Sequence, residues 1–128
     1  HNFASNTFKL ALYTASPYTT ASTVYVVTSE TTGTEYSAGG NTLSGNAVSN
    51  VADIATVDFT DSVWGSPTPA TFSAAYGTLY NSSSANKLIV VLDFGGTKSC
   101  SNGTFTVTFP SPTSGSPSGA DALLSITS

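Results

Sequence analysis

Apolar and polar residues alternate along much of this chain with a period of two. Thr104-Phe105-Thr106-Val107-Thr108-Phe109 is the clearest case, with threonine on one face and Phe or Val on the other. Successive side chains of a strand point to opposite faces, so such a run predicts a half-buried strand. The same reading predicts a strand at Thr7 to Thr14, where Phe8, Leu10 and Leu12 share a face. It predicts another at Ala70 to Tyr80, with Phe72, Ala74, Tyr76, Thr78 and Tyr80 together. The apolar run Val24 to Thr28 is expected to be a strand too. Asn41 to Ser49 and Asp53 to Thr60 are expected to pair, and Ala122 to Thr127 supplies the last strand.

Lys87 to Phe94 breaks the pattern. Leu88-Ile89-Val90-Val91-Leu92 is the densest apolar segment and does not alternate. A strand of that kind is expected at the centre of a sheet, covered on both faces, or in a subunit contact. Turn formers punctuate the rest. Gly39-Gly40 is the sharpest bend of a loop from Thr31 to Asn41, and Trp64 sits in a loop ending at Pro67 and Pro69. Gly95-Gly96 closes the apolar segment, and Ser111 to Gly119 is a Ser/Pro/Gly loop.

Residues that fill helices are scarce, whereas Thr, Val, Tyr and Phe dominate. The fold expected is all-β: a single-domain antiparallel β-sandwich, Ig-like or jelly-roll-like, with about eight strands and essentially no helix. Residues 1–128 form one domain in this reading, with His1 to Asn6 as an N-terminal arm.

Composition narrows the function. Only 8% of residues are charged, against roughly 25% in ordinary globular proteins. There is no arginine, there are three lysines, and about a third of the chain is Ser or Thr. With a net charge of -4, the surface lacks the clustered cations that nucleic-acid phosphates require. No run approaches the ~18 apolar residues of a membrane helix. Cys100 is the single cysteine, which excludes an internal disulfide and favours a small, partly buried hydrophobe.

Catalytic chemistry is equally sparse. A Ser-His-acid triad needs a positioned histidine, and the single one is His1. Zinc lacks His and Cys ligands. Asp58 and Asp61 could approach Asp93 as a Ca²⁺ site, but without dense acidic spacing they read better as solvated or turn-capping acids. Glu30 with Glu35 is a weaker glycosidase pair. Trp64, Tyr76 and Tyr80 could stack sugars, although aromatics on strands more often serve as core or interface anchors. Trp64, in its loop, either plugs the end of the core or docks into a partner. No catalytic residue, cofactor, metal, nucleic acid, membrane or small-molecule substrate is expected. A threonine face costs little to desolvate, so the residues point to an assembly or adhesion module.

The order of several motifs resembles a family of small phage virion proteins, often labelled tail-fibre or virion structural proteins. The matching pieces begin with Thr7-Phe8-Lys9-Leu10-Ala11-Leu12-Tyr13 and Gly33-Thr34-Glu35-Tyr36-Ser37-Ala38-Gly39-Gly40. Val57-Asp58-Phe59 with Asp61 and Trp64, Thr71-Phe72 with Tyr80-Asn81, and Asp93-Phe94-Gly95 follow. Thr104-Phe105-Thr106-Val107-Thr108-Phe109-Pro110 completes the series. The resemblance implies a non-enzymatic virion component. Within that class a compact domain without shaft repeats fits a capsid cement or decoration protein. It would sit on the outer capsid as a homo-oligomer, a trimer, and bridge neighbouring major capsid protein subunits. The alternative is a tail-fibre or receptor-binding module for host surface glycan, which requires Trp64 or Tyr80 at the surface. The expected partner contacts are Phe3, Glu35, Tyr36 and Trp64.

Overall fold

The computed structural model describes residues 1–51, 54–109 and 124–127. Among these the chain is all-β, with no helix and with every strand pairing antiparallel. The strands are β1 (Phe8–Tyr13), β2 (Asn41–Thr42), β3 (Ala47–Val51), β4 (Ile54–Asp58) and β5 (Ser62–Trp64). They continue with β6 (Ala70–Asn81), β7 (Lys87–Gly103), β8 (Phe105–Val107) and β9 (Leu124–Thr127). Three sheets result, ordered β2-β1-β6-β7, β3-β4-β9 and β5-β8.

The β1–β6 ladder organises the first sheet. Leu10 lies opposite Leu79 and Leu12 opposite Gly77, while Lys9 lies opposite Tyr80 and Ala11 opposite Thr78. Alternation therefore sends two different sets of side chains to the two faces. One face carries Phe8, Leu10, Leu12 and Leu79 into the main core, where they meet Val57, Phe59, Trp64, Phe72, Phe105 and Phe109. The core thus draws on all three regions that carry β1–β6, β4 and β5–β8. The other face carries Ala11, Tyr13 and Tyr80, covered by Tyr18, Tyr25, Tyr76 and Leu88.

Two close approaches require glycine. Gly40 has φ +68°, and a Cβ there would lie 1.8 Å from the Leu10 carbonyl oxygen. The loop can press onto β1 because no side chain intervenes. Gly77 leaves a slot in β6 for the Phe94 ring, whose Cζ lies 3.0 Å from where a Cβ would stand.

The structure departs from the sequence reading at several elements. Val24 to Thr28 is not a strand; it makes one isolated bridge, Val24 to Lys87. Trp64 belongs to β5, where it lies opposite Phe105, rather than to a loop. Among the described residues the apolar strand β7 is not central but ends the sheet order. Its long reach, through Gly95-Gly96 to Gly103, is interrupted by register shifts against β6 between Ala70/Phe72, Ala74/Tyr76 and Leu79/Tyr80. Such bulges bend the strand and increase its local twist. The expected pairing of Asn41 to Ser49 with Asp53 to Thr60 is realised as β3 on β4, while Asn41–Thr42 separates to pair with β1. Asp53 and the Ser111 to Gly119 loop lie outside the described residues.

Candidate interaction surface

The four expected contact residues occupy different environments. Glu35 is exposed, in a left-handed turn with φ 63°. Phe3 is half-buried and stacks on Phe8 at 5.0 Å. Its carbonyl accepts a hydrogen bond from Asn46 Nδ2. The first six residues fold back on the body instead of extending as an arm. Asn81 Nδ2 donates to Asn6 Oδ1 at 2.8 Å and lies 3.1 Å from His1 Nδ1. Asn81 is fully buried.

Trp64 is 3% exposed, packed edge-on against Phe72 at 6.2 Å and Phe105 at 6.1 Å. It plugs the core, and its ring is not available as a surface anchor. Tyr36 stacks over it at 6.3 Å. Tyr80 is also 3% exposed and stacks on Tyr25 at 4.6 Å. The aromatic platform of Trp64, Tyr76 and Tyr80 is therefore not assembled at the surface: the two rings that the glycan reading needs outside are both buried.

Sequence reasoning missed a polar cluster on the tyrosine face. Glu30 Oε1 accepts from Tyr36 O–H at 2.7 Å and from Gly39 N–H at 2.6 Å, and Oε2 accepts from Tyr25 O–H at 2.6 Å. Tyr36 Oη in turn accepts from Leu12 N–H at 2.9 Å. A second ring of bonds closes beside it. Val26 N–H donates to Tyr18 Oη, Tyr18 donates to Tyr13 Oη at 2.7 Å, and Tyr13 donates to the Val26 carbonyl at 2.8 Å. Tyr80 O–H donates to the Gly39 carbonyl at 2.8 Å. Burial, with the Glu30 charge adding to it, pushes the Tyr13, Tyr25 and Tyr36 phenols well above the usual range. Burial pushes Tyr80 up to about 12, again with help from Glu30. The one sequence signal is an acid set between tyrosines and a Gly-Gly bend. The cluster pins the 13–40 loop to the sheet, and both Glu30 oxygens are engaged. No pairing with Glu35 for catalysis is built.

Asp58 and Asp93 bond locally within their turns, and Asp61 ties its turn to the distant Phe109. Asp58 Oδ1 accepts from Phe59 N–H, Asp61 Oδ1 from Phe109 N–H and Asp93 Oδ1 from Gly95 N–H, at 2.8 to 2.9 Å. Asp58 and Asp61 line one hollow of about 300 Å³ with Gly45, Thr60 and Phe109, whereas Asp93 lies on a different groove. The three are not brought together as a Ca²⁺ site. Among the described residues no group of three or more His, Cys, Asp or Glu is placed to hold a metal ion. Cys100 is buried, its Sγ 3.7 Å from the Phe72 carbonyl oxygen.

What remains at the surface is apolar edge and threonine. Leu88, Ile89, Val90 and Leu92 of β7 are half-buried and Val91 is 38% exposed. Val63 on β5 is 44% exposed. Lys87 and Lys98, both on β7, are exposed. Beside β7 runs a groove of about 570 Å³, lined by Leu92, Asp93, Phe94, Lys98, Ser99 and residues 104–108. Comparison of the chain with protein-family models, with curated proteins and with solved structures finds no match in any of the three.

Proposed function

We propose that this chain is a non-enzymatic assembly module. Following its motif resemblance, we read it as a bacteriophage capsid cement or decoration protein. In this reading it is a β-sandwich, Ig-like or jelly-roll-like, that binds the outer capsid as a trimer and bridges neighbouring major capsid protein subunits. The observation that carries the assembly reading is the position of β7. Among the described residues the most apolar segment lies at a sheet edge, half-exposed, rather than inside the sheet. An apolar strand left at an edge is a site for another chain. The threonine-rich surface around it desolvates cheaply compared with Lys or Glu. Many such modest contacts, repeated around a symmetric shell, add through effective concentration. Burial of Trp64 and Tyr80 removes the exposed rings on which glycan recognition would rest. The test is co-sedimentation of the purified protein with capsid shells stripped of it. The reading predicts saturable, stoichiometric binding that raises the shells' resistance to heat. Absence of binding to shells, with binding to tails, contradicts it.

A further inference from the structure

The groove between β7 and β8 is bounded by a strand edge that has no partner among the described residues. β8 pairs with β5 on one side, Trp64 opposite Phe105 and Ser62 opposite Val107. On its other side lies the groove, not a strand. Along that edge Thr104, Thr106 and Thr108 are exposed while Phe105 is buried and Val107 half-buried. The floor is therefore apolar, formed by Leu92, Phe94, Phe105 and Val107, and the rim is hydroxyl. A strand edge with open N–H and C=O groups beside an apolar trough is the arrangement that takes an extended segment by strand addition. Main-chain bonds hold such a segment, and alternate side chains fill the trough. The volume is in the range of sites that hold a ligand or short segment.

Two features say what kind of segment fits. The edge at 104–108 carries no Lys, Glu, Asp or Pro, the residues with which exposed edges ordinarily repel strands. Lys98 also stands on the groove with no carboxylate in ion-pair contact among the described residues, in a chain of net charge -4. Asp93, on the same groove, is engaged by the Gly95 N–H.

We propose that the β7–β8 groove is a strand-acceptor site. Its occupant is an extended segment of a neighbouring protein chain, with apolar residues at alternate positions and a carboxylate that reaches Lys98. This deepens the assembly reading and rests on it, by naming the surface through which a partner is held. It fails separately, because the shell-binding test above does not depend on which surface is used.

The experiment is an NMR titration of the full chain with a synthetic seven-residue peptide, Thr-Val-Thr-Val-Thr-Val-Asp. Expected are saturable shifts at the amides of residues 104–108, Leu92 and Phe94, and slowed hydrogen exchange along 104–108. Lys98→Glu, which changes only a side chain outside the ladder bonds, should weaken binding by about fivefold, the size of one rim charge pair. Replacing the peptide's Asp by Asn should weaken wild type similarly and should strengthen binding to Lys98→Glu, where it removes a like-charge repulsion. Thr106→Pro should abolish binding; because proline also loosens β5–β8, its fold is checked by the Trp64 emission. The proposal is overturned if the 104–108 amides do not shift. It is also overturned if they are already protected in the free protein, which would mean that the chain's own residues fill the groove. Equal binding by Lys98→Glu and wild type overturns the assigned peptide chemistry.

Discussion

Raising the pH should unfold this protein through its tyrosine face. An unfolded tyrosine ionises near pH 10. Tyr80 is held up to about 12 by burial and by Glu30, and Tyr13, fully buried, is held higher still. A raised pKa in the folded state means stability that is complete below pH 10 and is lost as pH climbs through 12. At pH 11 the unfolded phenol is about nine-tenths ionised while the folded one remains protonated, which removes about 1.4 kcal/mol per group by linkage. Tyr13 and Tyr80 together remove about 3 kcal/mol at that pH, against a total of roughly 5–15 kcal/mol for a domain. Tyr25 and Tyr36 shift in the same direction. The assay follows phenolate absorbance at 295 nm beside far-UV circular dichroism from pH 8 to 13. The expected result is that four of the six phenols ionise late, in one cooperative step that coincides with loss of β signal. Smooth ionisation of all six near pH 10 with the β signal intact would refute the buried cluster.

Two further substitutions probe the same architecture. Trp64→Ala should lower stability by about 3–5 kcal/mol, the usual range for deleting a buried aromatic. Denaturant unfolding measures this, and a change under about 1 kcal/mol would place the ring outside the core. Glu30→Ala leaves the Tyr25 and Tyr36 hydroxyls and the Gly39 amide without their acceptor, at about 1–3 kcal/mol for each group that stays buried. Glu30→Gln keeps an acceptor and should recover part of that loss, so equal melting temperatures for the two variants would contradict the assigned bonds.

Elements with clean alternation were legible in the sequence. β1 and β6 lie within a residue of their expected bounds, and Phe8, Leu10 and Leu12 share a face as expected. The expected single face of β6 is broken by the register shift between Ala74 and Tyr76, so Phe72 and Ala74 enter the main core while Tyr76 and Tyr80 join the other cluster. Where alternation fails, position in the sheet is not encoded locally. Leu88 to Leu92 has the composition of a central strand, yet among the described residues β7 pairs on one side only, with β6. Val24 to Thr28 has high strand propensity, but Tyr25 is fixed by stacking on Tyr80 and by Glu30, and only one bridge forms. Trp64 was masked by Gly65, Pro67 and Pro69 beside it; what draws it into a strand is Phe105, 41 residues away. Asp58 and Asp93 accept from amides one or two residues on, a local property that sequence can carry, whereas Asp61 accepts from Phe109 N–H, 48 residues away, which it cannot. The Glu30–tyrosine cluster joins residues from five separate stretches, which no spacing rule connects.

The central claim is that this chain works by contact on the outside of a capsid. Its most direct test is a cryo-EM map of the intact virion with this protein located in the density. The account predicts density at regular positions on the outer shell, between neighbouring major capsid subunits. Density confined to the tail would contradict it.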